Sequence, residues 1–112
     1  IPNSVTSVGG NAFRACSSLS SITIPNSVNL IGSFAFRDCS SLSEVTCNAT
    51  TPPTLDSYVF SDIASPSTLI VPTGCTTSYS ESDWAQYFTT IKGENDTNGS
   101  DGNVDNLPAE EW

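Results

Sequence analysis

The chain opens with two consecutive copies of one short unit, residues 1–23 and 24–46. Residues 1–5 read IPNSV and return unchanged at 24–28, and the two stretches that they open agree at 15 of 23 positions. A unit this short cannot bury an apolar face alone, so copies must stack and share one core. The repeat therefore predicts a solenoid of three coils, 1–23, 24–46 and 47–70, of which the third is one residue longer.

The apolar residues within a coil predict its local structure. Ile22 and Ile24 alternate with polar residues, which is typical of a short strand with one buried side. Ala12, Phe13 and Cys16 have helical spacing and predict a single turn of α-helix or 3-10 helix. Val5 and Val8, with Gly9 directly after them, predict a second extended stretch. Each coil is therefore expected to supply a short parallel strand, this second extended stretch and a short helical turn.

One aromatic residue recurs at the same position of each coil. Phe13, Phe36 and Phe60 correspond when the three coils are aligned. Stacked parallel strands lie about 4.8 Å apart, so the three rings are expected to form one buried column.

The complete repeat pattern, IPxSVxxIGxxAFxxCSSLxxIxIP, closely resembles the BspA-type leucine-rich repeat. The second repeat carries it almost in full, with Ile24, Pro25, Ser27, Val28, Ile31, Gly32, Ala35, Phe36, Cys39, Ser40, Ser41, Leu42 and Val45. The resemblance extends to about residue 94. It implies a leucine-rich-repeat solenoid in a secreted or cell-surface protein of a host-associated bacterium or a parasitic protist. Some members of the family are linked to adhesion to host proteins, which implies a non-enzymatic binding module.

Residues 71–92 depart from the repeat and predict a helical C-terminal cap. A helix that begins at Ser82 or Asp83 would place four apolar residues on one face: Trp84, Tyr87, Phe88 and Ile91. A further helical turn is expected around Tyr79. This aromatic stripe is interpreted as a lid over the third coil, because repeat arrays need atypical ends. The alternative is a carbohydrate-binding accessory module that uses Trp84 and Tyr87.

The start of the chain lacks a comparable cap. The first coil is expected to leave six apolar residues open on one side: Val5, Val8, Phe13, Leu19, Ile22 and Ile24. We therefore expect the sequence to be the C-terminal part of a longer repeat array. We also expect it to self-associate through this uncapped coil when isolated.

The tail, residues 93–112, changes composition abruptly. It contains six of the twelve acidic residues and no basic residue, which predicts a flexible acidic tail or linker. Part of it is similar to the calcium loop of dockerins, with the candidate ligands Asp96, Asn98, Asp101 and Asp105. The spacing departs from such a loop, because its sixth position holds Asp101 instead of glycine. No metal or cofactor is assigned.

Charge and residue types exclude several classes of function. The net charge of −9, with only three basic residues, argues against binding to nucleic acid or to an anionic membrane. No apolar run approaches the roughly 20 residues that span a bilayer. The chain has no histidine, which removes Ser-His-Asp and Cys-His catalysis. Glu81 and Asp83 are interpreted as exposed capping acids, so we predict that the protein is not an enzyme.

The four cysteines divide into two pairs. Cys16 and Cys39 share one repeat position and are expected in the core as free thiols. Cys47 and Cys75 lie outside this repeat position. A disulfide between them is one alternative, because an exported protein would permit it.

The outward positions of the predicted strands form the candidate binding face. They are Ser21, Thr23, Glu44, Thr46, Asn48, Thr68 and Ile70. We predict that this extracellular or cell-surface strand face binds a host or neighbouring-cell protein or glycan. The alternative is a structural spacer or cap within a larger surface protein.

Overall fold

The computed structural model describes residues 1–94, which form seven short strands, one α-helix and one 3-10 helix. The strands are β1 (Ser7–Val8), β2 (Ser21–Ile24), β3 (Leu30–Ile31), β4 (Glu44–Cys47), β5 (Thr54–Leu55), β6 (Thr68–Val71) and β7 (Thr90–Gly93). The α-helix, α1, spans Thr76–Ser80, and the 3-10 helix spans Asp83–Gln86. Each of the three repeats thus supplies a two-residue strand and then a four-residue strand.

The strands build two parallel sheets that alternate along the chain. One sheet has the order β1-β3-β5 and the other β2-β4-β6-β7. Between β2 and β4 the register follows the sequence repeat, with Ser21 opposite Glu44 and Ile24 opposite Cys47. Successive repeats therefore add one strand to each sheet, and the predicted short parallel strands are confirmed.

The extra residue of the third repeat lies in one loop. Ile24 pairs with Cys47, and Ile31 pairs with Leu55. The chain from Cys47 to Leu55 is therefore one residue longer than the equivalent chain from Ile24 to Ile31. The added residue therefore lies in the loop 48–53, between β4 and β5. Beyond this loop the strands pair again at equivalent positions of the repeat, with Ile31 opposite Leu55.

The segment after each two-residue strand differs from the sequence prediction. Ala12 and Phe13 lie in consecutive turns, Cys16 follows them, and none of the three belongs to a helix. Asn11 and Ala15 have φ values of 63° and 61°, in the left-handed region, and these values interrupt any helix. The same two positions are left-handed in the second and third repeats, at Phe34, Asp38, Tyr58 and Asp62.

Hydrogen bonds between repeats explain these turns. The N–H groups of Asn11, Phe13 and Ala15 donate to the carbonyls of Ser33, Ala35 and Arg37, at 3.0, 2.7 and 2.7 Å. The second repeat donates to the third in the same way, from Phe34, Phe36 and Asp38 to Ser57, Val59 and Ser61. The left-handed residues turn alternate N–H groups toward the next repeat, and this ladder of bonds holds the turn segments together.

The predicted aromatic column is present. Phe36 is fully buried, and its ring stacks on Phe13 at 5.0 Å and on Phe60 at 5.2 Å between centroids. The three rings are nearly parallel, with interplanar angles of 4° and 9°. The column passes through all three repeats and forms the axis of the core.

The backbones of the first two repeats approach each other so closely that position 32 requires glycine. A Cβ atom on Gly32 would lie 2.6 Å from the amide nitrogen of Gly10 in the preceding repeat. Any larger residue at position 32 would force the first two repeats apart.

The cap is a lid, and it contains a strand that the sequence did not predict. The expected turn around Tyr79 is confirmed as α1, and Ser82 caps the 3-10 helix by accepting a hydrogen bond from the N–H of Trp84 at 3.3 Å. The 3-10 helix ends at Gln86, so the prediction that Tyr87, Phe88 and Ile91 share a helical face with Trp84 is wrong. Ile91 belongs to β7 and pairs with Leu69. The cap therefore continues the four-stranded sheet.

The first repeat has an open side, as expected. Phe13 and Val5 are partly exposed, whereas their equivalents Phe36 and Val28 are fully buried or nearly so. Val8 and Ile24 depart from the expectation, because both are buried. Fewer apolar residues of the first repeat are therefore exposed than the sequence predicts.

The cysteines follow the same division between the first repeat and the others. Cys39 is buried as predicted, but Cys16 is exposed, because no repeat packs on its N-terminal side among the described residues. All four cysteines are free thiols in this structure, so Cys47 and Cys75 are not joined.

Candidate functional site

The outer side of the four-stranded sheet, hereafter the strand face, carries two rows of side chains. The first row is Ser21, Glu44, Thr68 and Thr90, and the second is Thr23, Thr46, Ile70 and Lys92. The alternate residues Ile24, Val45 and Leu69 point inward and are buried. Because side chains alternate along a strand, the inward row forms core and the outward row is left for solvent or a partner.

A shallow depression lies on the strand face. It has a volume of about 330 Å³ and is lined by Ser43, Glu44, Pro66, Thr68, Ile70 and Lys92. It places one carboxylate and one ammonium group on opposite sides of β6. The rest of its lining consists of hydroxyl and apolar groups, so it can offer hydrogen bonds and one charge of each sign.

Six of the seven predicted binding residues lie on the strand face, and Asn48 does not. Asn48 follows β4, and its N–H donates to the carbonyl of Ile24 at 2.9 Å. This bond marks the point where the chain leaves the sheet and turns into the loop 48–53. The predicted binding role of all seven residues stays a prediction.

Asn48 instead lines a second depression, hereafter the corner cleft. The cleft has a volume of about 470 Å³ and lies between the loop 48–53 and the shorter equivalent loop of the second repeat. Its polar lining consists of Asn26, Asn29, Asn48, Thr50, Thr51 and Thr54. A valine, an alanine and two prolines complete it. The lengthened loop of the third repeat therefore forms one wall of a concave, uncharged site.

Aromatic and arginine side chains alternate on the turn segments. The rings of Phe34 and Tyr58 stack at 5.8 Å, and the guanidinium carbons of Arg14 and Arg37 each lie 5.4 Å from the centroid of Phe34. Tyr58 is 59% exposed, the most exposed of the large apolar side chains in the described part. Sequence reasoning missed this stack of aromatic and arginine side chains, although the recurrence of arginine at positions 14 and 37 is a signal for it.

An ion pair also joins the second and third repeats. Arg37 Nε lies 3.9 Å from Asp62 Oδ2. The nitrogen is buried and has no hydrogen-bond partner within residues 1–94. The carboxylate is largely exposed, so the pair contributes only about 0–1 kcal/mol to stability.

The cap aromatic residues are structural. Trp84 is 1% exposed, and its Nε1–H donates to the carbonyl of Pro53 at 2.9 Å. Its ring packs on Phe60 and Tyr79 at 5.3 and 5.5 Å. A buried indole cannot stack on a sugar, so the alternative of a carbohydrate platform built on Trp84 is wrong. Tyr87, its suggested companion, is partly buried against Phe60.

The titratable groups of the core are held in their neutral forms. Burial raises the pKa of the thiols of Cys39 and Cys47. Burial also raises the pKa of Tyr79, whose hydroxyl lies 3.2 Å from Cys47 Sγ and donates to the carbonyl of Ala49 at 2.6 Å. A protonated thiol is a poor nucleophile, so these cysteines act as packing groups.

Neither a metal site nor a membrane-spanning helix is found in the described part. No three cysteine or acidic side chains within residues 1–94 come close enough to hold a metal ion. The calcium candidates Asp96, Asn98, Asp101 and Asp105 lie outside the described residues. None of the helices in residues 1–94 has the length and apolar character needed to cross a bilayer.

Comparison with known proteins gives one match. The sequence model of the family described as "BspA type Leucine rich repeat region (6 copies)" matches residues 1–95. No curated protein matches the chain. No solved structure matches it either.

Proposed function

We propose that this chain, which belongs to the BspA type leucine-rich repeat family, is a non-enzymatic recognition module that binds a protein through its strand face. One observation carries the proposal. The outward rows of the four-stranded sheet are exposed or partly exposed over all four strands. An ordered, uncovered parallel sheet offers a partner a fixed array of side chains at low entropic cost.

We further infer that the repeats form one right-handed solenoid. Its three sides would be the two parallel sheets and the hydrogen-bonded turn segments. The regular register between repeats and the single aromatic column support this arrangement. In such an array the sheet side grows by one strand with each repeat, so the binding surface grows with repeat number.

The size of the strand face sets the expected affinity. Three spacings of about 4.8 Å and four residues at about 3.3 Å each give a patch of roughly 14 by 13 Å, or about 200 Å². A standard protein interface buries about 800 Å² on each partner. The strand face of residues 1–94 is therefore expected to bind weakly, and stronger binding would need further repeats or several copies.

We propose an extracellular or cell-surface location, where host or neighbouring-cell proteins would be the partners. The support is the family membership, since BspA-type repeats are typical of surface proteins. A structural spacer or cap is the second candidate, favoured by the small size of the face and its lack of exposed aromatic anchors.

The experiment compares two matched double substitutions. Thr23 and Thr46 lie opposite each other on the strand face, whereas Thr77 and Ser78 lie exposed on α1. One variant combines Thr23→Arg with Thr46→Arg and the other combines Thr77→Arg with Ser78→Arg, so both add the same charge. Each variant and the wild type would be multimerised on a surface and tested against a panel of immobilised extracellular-matrix proteins.

Loss of binding in the strand-face variant, with the α1 variant unchanged, supports recognition through this sheet. Equal binding by both variants would place the contact elsewhere. Absence of binding by the multimerised wild type would favour the structural spacer.

A further inference from the structure

The corner cleft differs from the rest of the surface in its composition. None of the residues that line it is charged, although the chain as a whole has a net charge of −9. Three asparagines are among the residues that line it, Asn26, Asn29 and Asn48, and each carries a side-chain amide. None of these amides makes a hydrogen bond within residues 1–94, so each retains two donor hydrogens and an acceptor oxygen.

The lengthened loop that forms the cleft wall is fixed at both ends. The N–H of Asn48 donates to the carbonyl of Ile24 at 2.9 Å, where the loop begins. The N–H of Thr54 donates to the carbonyl of Asn29 at 3.0 Å, where the loop ends. Both bonds run to the second repeat, so they hold the two walls of the cleft at a set separation.

The cap holds the same loop from behind. The hydroxyl of Tyr79 donates to the carbonyl of Ala49, and the indole N–H of Trp84 donates to the carbonyl of Pro53. Both aromatic side chains are buried. The neighbouring Pro52 and Pro53 each have a restricted φ. The loop is therefore rigid before any ligand arrives, which reduces the entropic cost of binding.

The chemistry of the lining selects a class of ligand. Amide and hydroxyl groups both donate and accept hydrogen bonds, as sugar hydroxyls do. Pro52, which is partly exposed, offers an apolar surface to C–H groups. The absence of charge in the lining gives no partner to an ionic ligand, and the negative charge of the chain disfavours an acidic one. A volume of about 470 Å³ falls in the usual range for small-molecule sites.

We propose that the corner cleft binds a neutral saccharide, held by the amides of Asn26, Asn29 and Asn48 against the rigid loop 48–53. The site is separate from the strand face. It does not use Trp84 as a stacking platform, since that side chain acts from behind the loop.

The test is a titration of the ¹⁵N-labelled full chain followed by two-dimensional NMR. The probes are maltose, lactose, cellobiose and N,N′-diacetylchitobiose. Binding of at least one probe is expected to shift the side-chain amide signals of Asn26, Asn29 and Asn48 in a saturable way. The indole N–H signal of Trp84 is expected to shift with them, because its acceptor is in the cleft wall.

The matched control comes from the repeat itself. Asn3 occupies in the first repeat the position that Asn26 occupies in the second, but it does not line the cleft. Asn26→Ala is expected to weaken binding about fivefold, the factor for one hydrogen bond of about 1 kcal/mol, and Asn3→Ala to leave it unchanged. The strand-face variant Thr23→Arg with Thr46→Arg should also retain saccharide binding, which separates this site from the proposed protein contact.

Three results would overturn the proposal. The first is that no probe shifts the three amide signals at its highest soluble concentration. The second is equal weakening by Asn26→Ala and Asn3→Ala. The third is a set of shifts confined to the strand face.

Discussion

Replacement of the central ring of the aromatic column should weaken the fold more than replacement of the outer ring. Phe36 is fully buried between Phe13 and Phe60, whereas Phe13 is partly exposed and has one ring neighbour. Removal of a buried phenylalanine side chain costs about 3–5 kcal/mol. For Phe13 less apolar area is removed from water in the folded state, so about 2 kcal/mol is expected for Phe13→Ala.

These costs are large for a chain of this size. The 94 residues that the structure describes correspond to a total stability of roughly 5–14 kcal/mol. Phe36→Ala can therefore leave the protein close to its unfolding midpoint. Phe36→Leu, which keeps most of the apolar volume, provides a second variant with an expected cost of about 1–2 kcal/mol.

The assay is urea unfolding followed by far-ultraviolet circular dichroism and by tryptophan fluorescence. A Trp112→Phe background leaves Trp84, beside Phe60, as the single reporter. Measurement at two protein concentrations separates folding from association. Equal costs for Phe13→Ala and Phe36→Ala, independent of concentration, would refute the reasoning, because they would mean that the first repeat is as well covered as the second.

Three further predictions concern the core. Burial raises the pKa of Tyr79 from 10.0 and that of Cys47 from 9.0. As pH rises, the unfolded state therefore loses these protons before the folded state does. The free energy of unfolding should fall above about pH 9, by up to about 1.4 kcal/mol per pH unit for each group. Urea midpoints between about pH 8 and 11 test this, and Tyr79→Phe should flatten the steeper part above pH 10. Under native conditions a disulfide reagent should label Cys16 quickly and Cys39 only on unfolding, and equal rates would contradict the burial of Cys39. Iodide should quench Trp84 poorly in the Trp112→Phe variant, and free quenching would contradict its role as a lid.

The repeated part of the fold was predictable because its signal is periodic. The same apolar residue returns at one position of each repeat, so the Phe column follows from the alignment alone. The left-handed turns were predictable only in part. Asn11, Asp38 and Asp62 are of residue types that often adopt a positive φ, whereas Phe34 and Tyr58, at the position equivalent to Asn11, are bulky and disfavour it. At Phe34 the hydrogen bond to the neighbouring repeat stabilises that conformation, and no single repeat contains this information.

The cap shows a different limit. Trp84, Tyr87, Phe88 and Ile91 have helical spacing, yet Ile91 lies in β7 because the edge of β6 offers a row of backbone partners. Periodicity within one segment cannot register a partner strand that lies in an earlier part of the chain. The corner cleft was missed for a similar reason. One of its walls is the loop 48–53, which is longer by one residue than the equivalent loop of the second repeat. In the sequence this insertion is visible only as a change in repeat length.

The hydrogen bonds between the turn segments of neighbouring repeats also give the molecule a direction. At both junctions between repeats the accepting carbonyls belong to the later repeat and the donating N–H groups belong to the earlier one. The equivalent carbonyls of the first repeat belong to Gly10, Ala12 and Arg14, and they accept no hydrogen bond within residues 1–94. Two molecules joined head to head would oppose acceptor to acceptor along this side. The repeat therefore behaves as a polar unit, and a duplicated repeat recreates an existing junction only when it is joined in the same orientation.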